Sequence, residues 1–334
     1  RRASCWRCHA ASGCRLVIIA RRRVLLGALA LPFARPFAAA AQGFAGDYDP
    51  QATPIGDGIW MVRGADEAIG FANGGAIANS VILASDAGAI VVDSGPSLRF
   101  GQALDALARR VTGRPVARVY ITHLHPDHSF GSGAFVGAEI AALPGTRAEL
   151  ERDGSGFSDA MYRMLSSWMA GTEMVLPAAA AEGGEVVFGG RSLRLLALSG
   201  HSGADLALLD VASGTLIAGD LVFFNRAPAT PHADFAAWQA ALTSLETVPH
   251  RQLVPGHGPL CPDGAAIAQT RDWLTWLQAT LRAAVTDGLD MTEAANLPIP
   301  ARFAGMASAR YELTRSVSHF YPRLEAEIFP RIER

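Results

Sequence analysis

Three histidines and one aspartate fall within the six residues HLHPDH at positions 123–128. The whole chain has only nine histidines in 334 residues, so this segment is unusually dense in them. Neutral imidazoles and carboxylates are good ligands for zinc and similar divalent cations. His123 and His125 are two residues apart after a predicted strand, so both side chains can point to one side. The segment therefore predicts a metal site.

Three further polar residues occur singly, each beside glycine and each at the end of an apolar predicted strand. They are His201 in LSGHSGADL, Asp220 in LIAGDLVF and His257 in LVPGHGP. Glycine lets the backbone bend tightly there and present one side chain. A polar loop with surface histidines is the alternative explanation for any one segment. Four such strand ends in one chain favour a common metal centre.

The hydrophobic pattern places these segments among alternating strands and helices. The predicted strands are 57–64, 80–84, 89–93, 116–122, four between 185 and 220, and 251–259. The predicted helices are 97–111, 146–170 with a break at 154–156, 233–246, one starting after Asp263, and 307–328, kinked or split at Pro322. This mixed order predicts an α/β (α+β) fold in which helices cover the sheets, not a purely parallel doubly wound sheet.

The pattern H-x-H-x-D-H, G-H-S, G-D and G-H-G resembles the metallo-β-lactamase-fold superfamily, over roughly residues 50–262. The resemblance implies a four-layer αβ/βα sandwich with a metal pair at one edge of its two sheets. It implies two Zn²⁺ ions, with iron or manganese as alternatives. One metal would bind His123, His125 and His201, the other would bind Asp127, His128 and His257, and Asp220 would bridge them.

Two adjacent cations would acidify a shared water, and the resulting hydroxide could attack a carbonyl or phosphoryl centre. The positive charge would then stabilise the oxyanion that forms. Asp127 is the candidate catalytic residue, because it could also orient the hydroxide. Asp93, in VVDSG, is either a partner of a ligand histidine or a helix-capping or turn acid.

The acid at position 220 departs from the pattern of true zinc β-lactamases and is similar to hydroxyacylglutathione hydrolases and related esterases. The segment GDLVF and a helical C-terminal region resemble exported zinc metallohydrolases found with pyrroloquinoline-quinone-dependent dehydrogenases. We therefore expect a dinuclear zinc metallohydrolase of an ester, thioester or lactam-like bond, in quinoprotein or sulfur metabolism. The alternatives are a β-lactamase, a hydroxyacylglutathione hydrolase, an iron-dependent sulfur dioxygenase, and a metal-carrying binding factor without turnover.

Substrate contacts must come from loops near the predicted centre. Residues 65–79 could close over the metals, and Arg226 and His232 lie in the loop after Asp220. Arg226 could hold a carboxylate, or could be a solvated loop arginine. His232 could contact substrate, or could be a polar residue at a helix start. His250 and His319 lack any supporting context and are interpreted as structural or surface residues.

The N-terminal segment predicts export. Residues 20–42, ARRRVLLGALALPFARPFAAAAQ, contain an arginine cluster, a short apolar run and an alanine-rich stretch, which is typical of a twin-arginine-like signal peptide. We predict a periplasmic or secreted protein with an extension and signal at 1–41, a catalytic domain at 48–262 and a helical C-terminal extension at 263–334, packed on the core. The apolar run is too short to remain a membrane anchor. The haem-attachment pattern CWRCH at 5–9 precedes this signal, which argues against haem.

Charge narrows the class of partners. Eight arginines precede the first acidic residue, Asp47, and beyond them 21 arginines face 31 acidic residues, a net charge near −10. Such a surface does not attract nucleic acid or anionic lipid. The chain has no lysine, which excludes a P-loop lysine and Schiff-base chemistry. The expected partner is a small-molecule substrate.

Overall fold

A computed structural model describes residues 46–329 of the chain. The predicted signal segment and the CWRCH pattern lie outside these described residues. Within 46–329, no helix is both long enough and apolar enough to span a bilayer.

The strands of residues 46–329 form two sheets. The first sheet has seven strands in the order in which they occur along the chain: β1 (Ala52–Gly56), β2 (Ile59–Val62), β3 (Ser80–Leu83), β4 (Ala89–Val92), β5 (Val116–Tyr120), β6 (Glu139–Ala142) and β7 (Ala179–Ala180). The second sheet has five: β8 (Gly184–Phe188), β9 (Arg191–Leu198), β10 (Asp205–Asp210), β11 (Thr215–Ile217) and β12 (Gln252–Val254).

The described part of the chain has these α-helices: α1 (Leu98–Thr112), α2 (Pro126–Ser129), α3 (Pro144–Leu165), α4 (Phe235–Glu246), α5 (Ala265–Thr286), α6 (Met291–Ala295) and α7 (Ala309–Ile328). Side chains fix two of the helix starts, because the Ser97 hydroxyl accepts a hydrogen bond from the Phe100 amide and Asp234 accepts from the amides of Ala236 and Ala237.

Each sheet changes from antiparallel to parallel pairing where a helix enters the chain path. Strands β1 to β4 pair antiparallel, whereas β4 pairs parallel with β5 across α1. In the second sheet β8 to β11 pair antiparallel, and β11 pairs parallel with β12 across α4. Parallel neighbours need such a crossover, and their shared direction brings the carboxyl ends of β4 and β5, and of β11 and β12, to common edges.

Three apolar clusters separate four layers. Between the sheets, residues such as Leu83 and Val92 pack against Leu206 and Leu208. On the outer face of the first sheet, Leu104 of α1 belongs to a second cluster. The third cluster joins the second sheet to α4, α5 and α7. The structure thus confirms the predicted four-layer sandwich with C-terminal helices.

One detail of the predicted helices is wrong. Helix α3 continues through Gly154 and Gly156 instead of breaking there. A Cβ atom on Gly154 would collide with Met174 Sδ, so this glycine makes room for a neighbouring segment and does not end the helix. For α7, the structure excludes a split, because the helix runs through Pro322, and leaves the kink as a prediction. The short strands β1, β6 and β7 lack a strong alternating pattern and were not predicted.

The C-terminal helices share one hydrophobic cluster with the second sheet. Trp273 and Leu277 of α5 and Tyr321 of α7 are fully buried, in the same cluster as Trp238 of α4 and Leu216 of β11. The helices beyond residue 263 therefore contribute to the stability of the region that holds the sheets. The domain boundaries given above stay predictions.

We expect Leu277→Ala to lower the free energy of unfolding by about 2–5 kcal/mol, because it removes buried methyl groups and leaves a cavity. Urea denaturation followed by circular dichroism measures this change. Gln278→Ala, on the exposed side of the same helix turn, is the matched control and should shift the free energy by less than about 0.5 kcal/mol. Equal effects of both variants would show that α5 does not pack as described.

Candidate metal centre

The predicted ligand residues come from the carboxyl ends of strands in both sheets. His123 and His125 follow β5, and Asp127 and His128 lie in the short helix α2 directly after them. His201 lies in the β9–β10 turn, Asp220 in a 3₁₀ turn after β11, and His257 after β12. All seven side chains are buried. The fold therefore gathers at one edge residues that are up to 134 positions apart in sequence.

The first ligand group contains His123, His125, His201 and Asp220, whose ligand atoms all lie within 4.8 Å of one another. His125 Nδ1 is 2.9 Å from His123 Nε2 and 2.8 Å from His201 Nε2. Asp220 Oδ2 is 3.3 Å from His201 Nε2 and 3.9 Å from His123 Nε2. Three imidazole nitrogens and one carboxylate oxygen thus converge on one point.

The second group contains Asp127, His128 and His257. The Nε2 atoms of its two histidines are 3.4 Å apart, and Asp127 Oδ2 lies 3.4 Å from His257 Nε2 and 3.7 Å from His128 Nε2. Asp220 also reaches this group, since its Oδ1 is 3.1 Å from His128 Nε2 and its Oδ2 is 3.3 Å from His257 Nε2. Asp220 therefore lies between the two groups.

The chemistry of the donor set fits divalent cations. Burial lowers the pKa values of His123 and His125 well below the usual value, and lowers the pKa of His201 to about 3, so these rings are neutral at pH 7. His125 Nδ1 faces two other ring nitrogens, and among the described residues Asp220 Oδ1 finds no donor with hydrogen-bond geometry. Neutral rings and a buried unpaired carboxylate oxygen are what a cation stabilises.

His128 differs from the other histidines in its electrostatic environment. Burial by itself lowers the pKa of His128, but the carboxylates of Asp220, Asp93 and Asp127 together raise it well above the usual value. The ring is therefore protonated at pH 7 in the absence of a cation. Binding of a metal at this group must displace that proton, so metal affinity should rise with pH.

Asp93 fixes two ligand histidines from the end of β4. Its Oδ2 accepts hydrogen bonds from His128 Nδ1 at 2.7 Å and from the Thr122 hydroxyl at 2.9 Å, and its Oδ1 accepts from the Thr122 amide at 2.8 Å. The Thr122 hydroxyl in turn accepts from His123 Nδ1 at 2.9 Å. The two rings thereby point Nε2 toward the ligand groups. Of the two roles considered for Asp93, partner of a candidate ligand histidine or capping or turn acid, these hydrogen bonds support the first.

Asp93 holds this position in an uncommon backbone conformation, with φ of 63°. Aspartate and asparagine tolerate the left-handed region better than other non-glycine residues. The neighbouring hydrogen bonds hold it there. Thr122 is a functional residue that sequence reasoning missed, although its place directly before the first ligand histidine was an available signal.

The remaining ligands are held by separate partners. His257 Nδ1 donates to the Ile77 carbonyl at 2.9 Å. The backbone amide of His201 donates to Asp205 Oδ2 at 3.1 Å, and burial raises the pKa of Asp205 to about 7. Ile77 lies near the end of residues 65–79, the segment predicted to close over the metals. Asn79, two residues further on, donates hydrogen bonds to the carbonyls of Pro255 and Gly258, so this end of the segment is fixed to the His257 loop.

The two candidate substrate residues both line a cavity of about 770 Å³ beside the ligand groups. Arg226 is not a solvated loop arginine, because its side chain is buried and its Nη2 lies 3.5 Å from Glu312 Oε1. His232 Nδ1 is 2.9 Å from His125 Nε2, so it contacts a candidate ligand histidine.

The two histidines predicted to be structural or surface residues differ from each other. His250 makes a local hydrogen bond to the Val248 carbonyl, as a structural residue would. His319, in contrast, lines the cavity.

Gly256 permits the close approach of the His257 loop to Asp220. A Cβ atom at position 256 would overlap Asp220 Oδ1 and lie 2.7 Å from the Gly219 carbonyl carbon. Its amide donates to the Gly219 carbonyl at 2.8 Å. The glycine beside His257 is thus required by packing against the other ligand loop.

A model of the Metallo-beta-lactamase superfamily matches residues 73–257, more than half of the chain. The protein therefore belongs to the metallo-β-lactamase superfamily. Metallo-beta-lactamase domain-containing protein 1 of Xenopus laevis is 30% identical to it over 197 residues, which cover 54% of this chain and 70% of that protein.

Solved structures show the same fold. A metallo-beta-lactamase from Pontibacter korlensis superposes with a TM-score of 0.56 at 20% identity, covering 68% of this chain and 99% of that one. The metallo-beta-lactamase FIM-1 from Pseudomonas aeruginosa, solved in a mono-zinc form, gives 0.55 at 17% identity, covering 69% and 96%. At these identities the likeness concerns the fold alone. The described C-terminal helices lie beyond the residues that the family model matches.

We expect Asp93→Asn to weaken zinc binding by about 10- to 100-fold, the range found when a partner of a ligand histidine is changed. Asparagine tolerates the backbone conformation, but its amide NH₂ would face a ring N–H of His128 or the hydroxyl of Thr122. Competition against a chelator of known affinity measures the change. Asp86→Asn, at an exposed carboxylate, is the control, and equal affinity of Asp93→Asn and wild type would contradict the role given to Asp93.

Gly256→Ala should reduce the number of zinc ions bound per chain, because the added methyl group displaces the Asp220 carboxylate. Elemental analysis of dialysed protein, together with circular dichroism to verify folding, measures this. Gly264→Ala is the matched control, since a Cβ there meets no atom within 4 Å. Full metal content in both variants would mean that Asp220 does not need the space at position 256.

Proposed function

We propose that this protein is a dinuclear zinc metallohydrolase that cleaves an ester, thioester or lactam-like bond. The observation that supports it most is the position of Asp220, whose two oxygens lie 3.1 to 3.3 Å from nitrogens of both ligand groups. A single carboxylate shared in this way suits two cations held close together. Membership of the metallo-β-lactamase superfamily supports metal-dependent hydrolysis as the general activity.

When bound, a pair of divalent cations supplies acidified water at neutral pH and positive charge for a developing oxyanion. The residues of the chain would hold the ions and orient the water. His123, His125 and His201 would hold one ion, Asp127, His128 and His257 the other, and Asp220 both. Asp127 also borders the cavity, where its carboxylate would accept a hydrogen bond from the attacking water and orient it.

The completeness of the second ligand group favours hydrolysis over the alternatives. An iron-dependent dioxygenase with one metal has no need of Asp127, His128 and His257 clustered within 4.8 Å. A binding factor without turnover has no need of an open cavity that reaches the ligand groups. The Asp220 carboxylate remains the feature that argues against a β-lactamase.

The cellular setting is part of the same proposal. The twin-arginine-like segment supports a periplasmic or secreted enzyme, and the GDLVF segment and the C-terminal helices support a role beside quinoprotein or sulfur metabolism. The predicted partner is a small-molecule substrate rather than nucleic acid or membrane. Metal content and the substrate are the properties to measure first.

A panel of chromogenic esters, thioesters, lactones, lactams and phosphoesters, assayed on metal-analysed protein, tests the proposal. We expect about two zinc ions per chain and hydrolysis of at least one carboxylic acid derivative. Asp127→Asn should lower kcat by about 100-fold or more, because water is no longer oriented by a carboxylate. Asp159→Asn, at an exposed acid of α3, should leave kcat unchanged.

Chelation should abolish turnover, and added zinc should restore it. Two outcomes contradict the proposal. One is redox-active iron with oxygen uptake in place of hydrolysis. The other is a folded, zinc-loaded Asp127→Asn variant whose kcat equals that of the wild type.

A further inference from the structure

The cavity beside the ligand groups is walled in part by α7, which lies outside the residues matched by the family model. Besides Tyr311, three polar residues of this helix line the cavity: Glu312, Arg315 and His319. They follow one another at intervals of three and four residues, so they lie on one face of the helix. The C-terminal helix therefore contributes polar groups directly to the space in which a substrate would lie.

The charges on this wall do not cancel. Among the described residues that line the cavity outside the ligand groups, three arginines face two carboxylates. Arg152 pairs with the adjacent Asp153, and Arg226 pairs with the fully buried Glu312. Arg315 lies at the same distance, 3.5 Å, from this one carboxylate, which it shares with Arg226, and it keeps 37% of its side chain exposed. One positive charge thus remains, and its guanidinium is open to solvent.

The hydrogen bonds of Arg226 indicate independently that the cavity wall has room for a further hydrogen-bond acceptor. The side chain is buried, yet its guanidinium contacts are 3.2 to 3.5 Å long, to the carbonyls of Glu67 and Ala227 and to Glu312. Its Nε finds no hydrogen-bond partner among the described residues. Buried donors are normally satisfied, so a guanidinium held this loosely at a cavity wall suits an acceptor that enters from the cavity.

His319 adds an uncharged ring nitrogen to the same region. Burial and the Arg315 charge lower the pKa of His319, so its ring is neutral at pH 7. The permanent charge of the wall therefore comes from arginine. A guanidinium can hold a carboxylate through two parallel hydrogen bonds, which gives both energy and orientation.

Another part of the cavity is apolar and adjoins the ligand groups. The Phe157 ring lies 5.9 Å from the ring of His125 and 5.6 Å from that of His232. Ile69, Met161 and Met164 line the cavity with it, and 47% of Met164 is exposed. An apolar surface of this kind loses contact with water when an apolar group enters.

We infer that the cavity selects a carboxylate-bearing ester or thioester whose other portion is apolar, and that Arg315, supported by Arg226 and His319, binds the carboxylate. The inference rests on the proposed hydrolytic function, for which it names the substrate class. Arg315 acts as a specificity residue at a distance from the reacting bond. It should affect the binding of one class of substrate and leave the chemistry of the metal centre intact.

Two chromogenic substrates of equal chain length test this inference. Mono-4-nitrophenyl glutarate carries a carboxylate where 4-nitrophenyl pentanoate carries a methyl group. On the zinc-loaded enzyme we expect kcat/KM for the glutarate ester to be at least about tenfold higher, equivalent to ~1.4 kcal/mol. Arg315→Gln should remove that preference, mainly through KM, and leave kcat/KM for the pentanoate ester within about twofold.

Two further variants separate charge from structure. Arg315→Lys keeps the charge and should retain part of the preference. Arg323→Gln removes an arginine two turns further along α7 that does not line this cavity, and it should retain the preference in full. Metal content and thermal melting of each variant verify folding. An equal preference in Arg315→Gln and wild type would overturn the inference.

A binding measurement keeps this test independent of turnover. Isothermal titration compares glutaric acid monoanilide with pentananilide, neither of which carries an activated ester. We expect the monoanilide to bind at least about tenfold more tightly to wild type, and to lose that advantage in Arg315→Gln. Hydrolysis of both esters without preference would refute the carboxylate site but not the hydrolase. Hydrolysis of neither ester, with selective binding of the monoanilide, would refute the proposed function for this substrate class and support the site.

Discussion

The hydrogen bonds received by the Asp93 carboxylate are the interaction on which the rest of the centre depends. They join the end of β4 to the end of β5 and set the orientation of His128 directly and of His123 through Thr122. With Nδ1 engaged on each ring, only Nε2 remains to face the ligand groups. A single buried acid thus fixes the orientation of two histidine rings, His128 directly and His123 through Thr122, and this preorganises the centre before any ion arrives.

The parallel pairing within each sheet provides the second constraint. Because β4 and β5 run in one direction, as do β11 and β12, their carboxyl ends bring ligand-bearing loops to one edge. Glycine at position 256 then lets two of these loops touch. Backbone packing therefore sets the distance between the two ligand groups, and the side chains then supply the ligand atoms.

Much of the centre was visible in the sequence because metal ligands have few acceptable residue types and lie at strand ends. His201 and His257 were identifiable from their flanking glycines, and the structure brings the seven candidate ligand residues together in two adjoining groups. The fold class was equally accessible, since the strand and helix order leaves few architectures. The resemblance supplied the division of the ligands into two groups, which spacing alone does not give.

What escaped prediction depends on contacts between distant segments. The role of Gly154 is set by Met174, which no periodicity shows. His319 gave no sign of function because its neighbours in sequence are not its neighbours in space. The loose pairing of Arg226 depends on a glutamate 86 residues away. Such relations exist only after the sheets and helices have packed together.

The position of α7 has a consequence for how this protein could diverge. The candidate ligand residues lie between positions 123 and 257, whereas part of the cavity wall is built by residues of α7, after position 309. Substitutions on the cavity-lining face of that last helix can therefore change the shape and charge of the cavity without altering the ligand loops. Homologues that retain the same candidate ligands can therefore differ in the substrates that fit the cavity, through changes in this one helix.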